Sequence, residues 1–232
     1  YYGAFSSAIT GVFLPKATKM IVENVNGKEL TLMMIKIGRL VFLVLMIIFS
    51  SFILFGKQFV LLWVGDTYID SWFVALIIMI GYTTTLIQGF ANEILKAKSL
   101  FKYKAIVYII FLGFGTLSGA FMVKTYGIIG MVTGTTIGWI IAQIIMNIYF
   151  SKVVHLDILL FFKKIYSKTI PSLLIIMIIG YFIENILGVG WVNLIIKLVL
   201  HGCVYVLIMY FFGMLESEKD ILKKLTPFLK RK

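Results

Sequence analysis

The chain has 232 residues, of which 61% are hydrophobic, with a mean hydropathy of +1.02 and a formal net charge of +12. Charged residues make up 14% of it, against about a quarter in soluble domains, so a soluble globular fold is excluded and a lipid bilayer is the required solvent. The cations gather at the ends of apolar stretches rather than along one face, which argues against nucleic acid as a partner.

Nineteen of the 22 Lys and Arg residues fall in every second connection between apolar stretches: Lys16 to Arg39, Lys96 to Lys104, Lys152 to Lys168 and Lys219 to Lys232. Lys57 and Lys124 alone occupy the connections between. By the positive-inside rule the four basic segments are expected on the cytoplasmic side, the C-terminus with them. Lys197 is then the one intramembrane cation.

In chain order, residues 1–15 open with an apolar stretch, Tyr1 to Leu14, too short to span and without a basic leader. It is expected to be the end of a transmembrane helix that begins upstream. Asn24, Asn26 and Gly27 predict a break, followed by a helix through "KELTLMMIKI" that extends below the membrane. Within 16–150 four complete spans are expected at about 39–56, 71–95, 105–123 and 127–150. The longer outer connection after the first carries Phe59, Trp63, Tyr68 and Trp72, suited to an interfacial aromatic belt, and Asp70 is expected to cap the second span. A cytoplasmic connection at 151–168 leads to two more spans within 169–214, about Thr169 to Glu184 and Gly188 to Met214. The tail, 215–232, spaces Ile221, Leu222, Leu225, Phe228 and Leu229 as an amphipathic surface helix begun by Ser217, or is a solvated tail. The fold expected is an all-α, polytopic transmembrane helical bundle.

Polar residues at membrane depth face other helices or a wet cavity. Gly81, Thr85, Gln88 and Asn92 recur at intervals of 4, 3 and 4, one face of the second span. They either hydrogen-bond between helices or line a substrate cavity, and Glu93 is expected to pair with Lys96 at the interface. In the fourth span Gly130, Gly134 and Gly138 form a small-xxx-small seam for helix packing, repeated at Gly115 and Gly119 in the third. Gln143 and Asn147 face away from that seam and are free to line a cavity. Lys197 and His201 share a face of the last span. Either Lys197 snorkels outward while His201 bonds a neighbour, or the two meet an anionic lipid head or take part in coupling, with Glu184 as a partner. Cys203 stands alone, and no HExxH, GxSxG, paired-cysteine or phosphate-loop pattern occurs, so neither an enzyme nor a metal or other cofactor is expected.

"SSAITGVFLPKATKMI", "IGRLVFLVLMIIFSSFILFGKQFVLLWVGDTYIDS", "YGIIGMVTGTTIGWIIAQIIMNIYFSKVVHLDILLFFKKI" and "FFGMLESEKDILKKL" resemble successive blocks of Wzx-type bacterial polysaccharide flippases, members of the MATE-like exporter superfamily. The resemblance implies the C-terminal lobe of a MATE-like transporter of about 14 helices, plus two extra C-terminal helices, in the bacterial cytoplasmic membrane. It implies alternating access and, as partner, an oligosaccharide unit on undecaprenyl diphosphate, with polysaccharide assembly proteins nearby. The chain departs from the family by offering mostly neutral amides and hydroxyls in its spans. A MATE-type cation-coupled exporter is the nearest alternative. A membrane glycosyltransferase or polymerase would need catalytic carboxylates or large outer loops, and a structural membrane subunit is a further possibility.

Overall fold

The computed structural model describes residues 1–220, and the tail residues beyond Asp220 lie outside the described residues. Eight α-helices are joined by short turns, and no strand occurs among the described residues. They are α1 (Tyr2–Gly11), α2 (Leu14–Val22), α3 (Gly27–Val64), α4 (Asp70–Ile87), α5 (Gly89–Ala97), α6 (Phe101–Val153), α7 (Ile158–Ile186) and α8 (Trp191–Ile208). The chain is an all-α, multi-pass membrane bundle: α3, α4, α6, α7 and α8 are each long and apolar enough to cross a bilayer.

The longest of these, α6, is long enough to cross twice. Gly127 interrupts it with a backbone no helix contains (φ 57°, ψ −145°), a conformation open to glycine because it has no Cβ. Residues 101–126 and 128–153 therefore fold back as antiparallel limbs, which places the reversal at the first residue of the expected fourth span. The limbs meet along glycine. A Cβ on Gly115 would stand 2.9 Å from the Gly134 carbonyl oxygen and from the Gly138 Cα, and one on Gly119 would stand 2.6 Å from the Met131 carbonyl oxygen. Gly130 lies equally close to the Met122 carbonyl, so the seam expected from spacing is a backbone-to-backbone contact between the two limbs.

The bundle is organised around α3, which packs against α1, α4, α7 and α8 and completely buries Met34, Ile37, Val41 and Leu45 along one stripe. Asn26 starts it in an extended conformation, its side chain accepting from the Glu29 N–H at 2.9 Å and donating to Glu29 Oε1 at 3.1 Å. At 38 residues α3 is about 57 Å long, well beyond the ~30 Å hydrocarbon core, so it projects past the membrane.

Three expectations are corrected. The second span is not continuous: the chain leaves helical geometry at Gln88 (φ −92°, ψ 16°), separating α4 from α5. Gly89 admits α1 at this point, where an added Cβ would sit 2.5 Å from Thr10 Cγ2, and Ser6 Oγ donates to the Leu86 carbonyl at 2.8 Å. Second, Asp70 does not cap α4 but lies within its first turn, where the helix dipole still favours a carboxylate. Third, α7 starts eleven residues before the expected span, because Asp157 caps it at Leu160 N (2.8 Å) after a left-handed His155 (φ 59°).

Long-range contacts bring the basic segments Lys16 to Arg39 and Lys152 to Lys168 together at one end. Thr31 Oγ1 accepts from the Asp157 N–H at 3.0 Å, and Arg39 donates to the carbonyls of Lys164 (2.7 Å) and Gly213 (2.8 Å). At the opposite end Gln58 Nε2 donates to the Gly190 carbonyl at 3.1 Å, and Trp72 Nε1 to the Phe52 carbonyl at 2.9 Å. Large apolar side chains such as Phe114, Ile144, Leu174, Ile178, Ile195 and Val206 are exposed on the outside, as bilayer contact requires.

Candidate functional site

The polar residues of α4 and of the second limb of α6 converge on Gln143. Its Oε1 accepts from Thr85 Oγ1 at 2.8 Å and from the Tyr108 hydroxyl at 2.5 Å. Its Nε2 donates to Gln88 Oε1 and, at 3.4 Å, to Asn147 Oδ1. Trp139 Nε1 donates to Thr85 Oγ1 at 2.8 Å, and the Trp139 ring stacks on Tyr82 at 4.0 Å between centroids. Thr85, Gln88, Tyr108 and Gln143 are buried, whereas Asn147 is half-buried. Thus four of the residues singled out from spacing, Thr85, Gln88, Gln143 and Asn147, share one network. Gln88 Nε2 is buried there without a partner among the described residues.

Asn92 does not join them. Beyond the break at Gln88 it belongs to α5, and its Oδ1 accepts from Lys104 Nζ at 2.7 Å. Thr85 and Asn92 instead share the wall of a polar cavity of about 190 Å³ at the basic end. α1 contributes Ser6, Ser7 and Thr10 to it, α5 Glu93 and Lys96, and α6 Phe101 and Lys104. Lys96 is neutralised by Glu93 at 2.8 Å. Among the described residues the Lys104 ammonium has only the neutral Asn92 carbonyl as hydrogen-bond acceptor, and it lies 5.5 Å from the Phe101 and 5.2 Å from the Tyr108 ring centroid. The cavity therefore carries surplus positive charge inside an apolar bundle, a setting that favours an anion. This was missed from sequence because Lys96 and Lys104 count there as ordinary topogenic lysines; the spacing Phe101, Lys104, Tyr108 on one helical face was the available signal.

The last span differs from its snorkelling expectation. Lys197 is 1% exposed, and its Nζ lies 2.8 Å from Glu184 Oε2 and donates to Gln58 Oε1 at 2.7 Å. His201 is buried with Nε2 2.9 Å from Ser50 Oγ, its ring edge-on to Phe55 and its Nδ1 without a partner. Gly180 makes room for the imidazole: an added Cβ would stand 3.0 Å from Nδ1. Both side chains are buried among helices. Lys197 is not the one cation within the bundle, since Arg39 is also 1% exposed. Its guanidinium pairs with Glu218 through Nε–Oε1 and, at 3.1 Å, Nη2–Oε2.

Comparison with protein-family models, with curated proteins and with solved structures finds no match.

Proposed function

We propose that this chain is part of a membrane transporter of the Wzx-type flippase class, moving oligosaccharide units linked to undecaprenyl diphosphate across the bacterial cytoplasmic membrane for O-antigen or capsule synthesis. The observation that carries the reading is the cavity at the basic end, where Lys104 supplies uncompensated charge beside hydroxyls and an amide. A diphosphate is the anion that such a site suits, and the adjoining Thr85–Gln143–Gln88–Asn147 network supplies the neutral donors and acceptors that a sugar unit needs. In this reading the basic end is cytoplasmic, the C-terminus lies on that side, and the protein carries substrate without chemical conversion or cofactor.

Deleting the gene tests it. The expected result is lipid-linked repeat units accumulating on the cytoplasmic leaflet and a loss of surface polysaccharide, restored by the wild-type gene. Unchanged glycan export in a strain with no second flippase would exclude the assignment and leave the cation-coupled exporter as the reading to test.

A further inference from the structure

A second cavity, of about 480 Å³, lies between α4 and the two limbs of α6. Gly81 and Tyr82 of α4, Leu112 of the first limb, and Val132, Thr136 and Trp139 of the second form part of its wall. Gly81 lets the helices approach closely here, since a Cβ on it would stand 2.5 Å from Thr136 Cγ2. The Trp139 indole is held on three sides. Its Nε1 donates to Thr85 Oγ1 at 2.8 Å, Tyr82 stacks on it at 4.0 Å and 24°, and Tyr108 meets it in a T-shaped contact at 5.0 Å. Tyr82 spends one ring face on the indole and is still 36% exposed, so ring surface remains for a ligand in the cavity it lines.

The wall is not that of a groove built for a hydrocarbon chain. Hydrocarbon offers neither donor nor acceptor, so a hydroxyl facing it goes unsatisfied. Among the described residues neither the Tyr82 nor the Thr136 hydroxyl has a hydrogen-bond partner, although both residues line the cavity. An aromatic platform with free hydroxyls beside it suits a pyranose ring. The C–H groups on the apolar face of the sugar carry the positive partial charge that the negative face of an aromatic ring attracts, and hydroxyls on the sugar rim both donate and accept. Position points the same way. Thr85, which holds the indole, also lines the polar cavity that contains Lys104, and Tyr108, the other neighbour of Trp139, has its ring centroid 5.2 Å from the Lys104 ammonium. An anion cavity and an aromatic cavity thus adjoin across Thr85 and Tyr108, in the order in which a glycosyl diphosphate presents its groups.

We propose that the Tyr82–Trp139 cavity is a sugar subsite, in which a pyranose ring of the substrate stacks on Tyr82 while the attached diphosphate occupies the Lys104 cavity. The proposal rests on the flippase reading and adds to it the residues that tell a glycosylated lipid from the bare carrier. Tyr82 supplies the platform, and Trp139, pinned by Thr85, positions Tyr82.

The test measures binding of two radiolabelled probes to the whole protein in lipid nanodiscs: undecaprenyl diphosphate, and the lipid-linked units extracted from the deletion strain. Wild type should bind the lipid-linked unit about twofold to tenfold more tightly than undecaprenyl diphosphate, the worth of one aromatic contact. Tyr82→Leu, which removes the ring and keeps an apolar side chain, should abolish that preference and leave the affinity for undecaprenyl diphosphate unchanged. Tyr82→Phe should keep the preference. Val132→Phe, which fills the cavity from the opposite wall, should abolish it as Tyr82→Leu does, and it decides alone if Tyr82→Leu fails to fold. Equal weakening of both probes by Tyr82→Leu would make the cavity a groove for the prenyl chain and overturn the proposal. A preference that survives both variants, or wild type binding the two probes equally, would overturn the subsite and leave the flippase reading standing. Binding of neither probe, or a deletion strain that accumulates no lipid-linked unit, counts against the flippase reading itself and against the subsite with it.

Discussion

Arg39 and Glu218, 179 positions apart in the chain, form a buried ion pair that joins the lower part of α3 to the segment following α8. The guanidinium spends its remaining donors on the Lys164, Ile165 and Gly213 carbonyls, and Glu218 Oε2 accepts from the Leu215 N–H at 2.8 Å, so both partners are saturated. The π-helical turn Met209–Gly213 delivers the Gly213 carbonyl to this point. Removing one member of such a pair strands a buried charge and costs about 3–5 kcal/mol. Arg39→Ala and Glu218→Ala are each expected to lower the melting temperature of the protein in detergent sharply. Exchanging the two residues is not expected to restore it, because a carboxylate at 39 would face the Lys164 and Gly213 carbonyls.

The glycine seam of α6 gives a graded prediction. Gly134 lies against the backbone of Gly119, and a methyl group there has no flexible side chain to displace. Gly134→Ala should force the limbs apart and destabilise the protein by about 1–3 kcal/mol, the range for overpacking. Gly113→Ala, on the same hairpin, meets nothing within 4 Å and should be neutral or stabilising by up to ~1 kcal/mol through helix propensity. Thermal unfolding followed by circular dichroism separates the two.

The sequence made the apolar spans, their alternating basic ends and the glycine seam readable because each is a local, periodic property. What it hid depends on partners far along the chain. Arg39 carries the same local signature as Lys36 beside it, and only Glu218 and three distant carbonyls turn it from a topogenic charge into a clamp. Asn92 fits the helical spacing of Thr85 and Gln88, yet α1 packing through Gly89 accompanies a break that hands it to Lys104. Glu184 was legible as a partner for Lys197, but whether the ammonium was buried depended on Gln58 approaching from α3.

Gln143 and Asn147 should separate stability from transport. Gln143→Ala leaves the buried Thr85, Gln88 and Tyr108 groups without their shared partner, at about 1–3 kcal/mol for each group left unsatisfied, and should reduce the amount of folded protein. Asn147 contributes a single 3.4 Å contact and is half-buried. Asn147→Ala is therefore expected to keep wild-type amounts in the membrane while lowering polysaccharide export under the proposed function, measured against protein quantified by immunoblot. Equal loss of folded protein in both variants would restrict Asn147 to packing.

Lys104 and Lys96 line one cavity but differ in what neutralises them, and this orders their expected effects. Lys96 spends its charge on Glu93, so Lys96→Gln removes a cation that is already compensated and leaves the cavity's unpaired charge in place. Lys104 has a neutral acceptor and two aromatic neighbours, so its ammonium remains available to an anion entering the cavity. A charged hydrogen bond is worth about 1.5–3 kcal/mol, or roughly tenfold to a hundredfold in binding. If the chain is the proposed flippase, Lys104→Gln should therefore lower translocation of the lipid-linked unit by at least about tenfold at limiting substrate, with a much smaller loss for Lys96→Gln. The measurement is the fraction of repeat units reaching the outer leaflet in membranes containing matched amounts of each protein. Equal losses for the two lysines would mean that their shared role is to fix orientation in the membrane, since that role depends on how many cations are present and not on which one is unpaired.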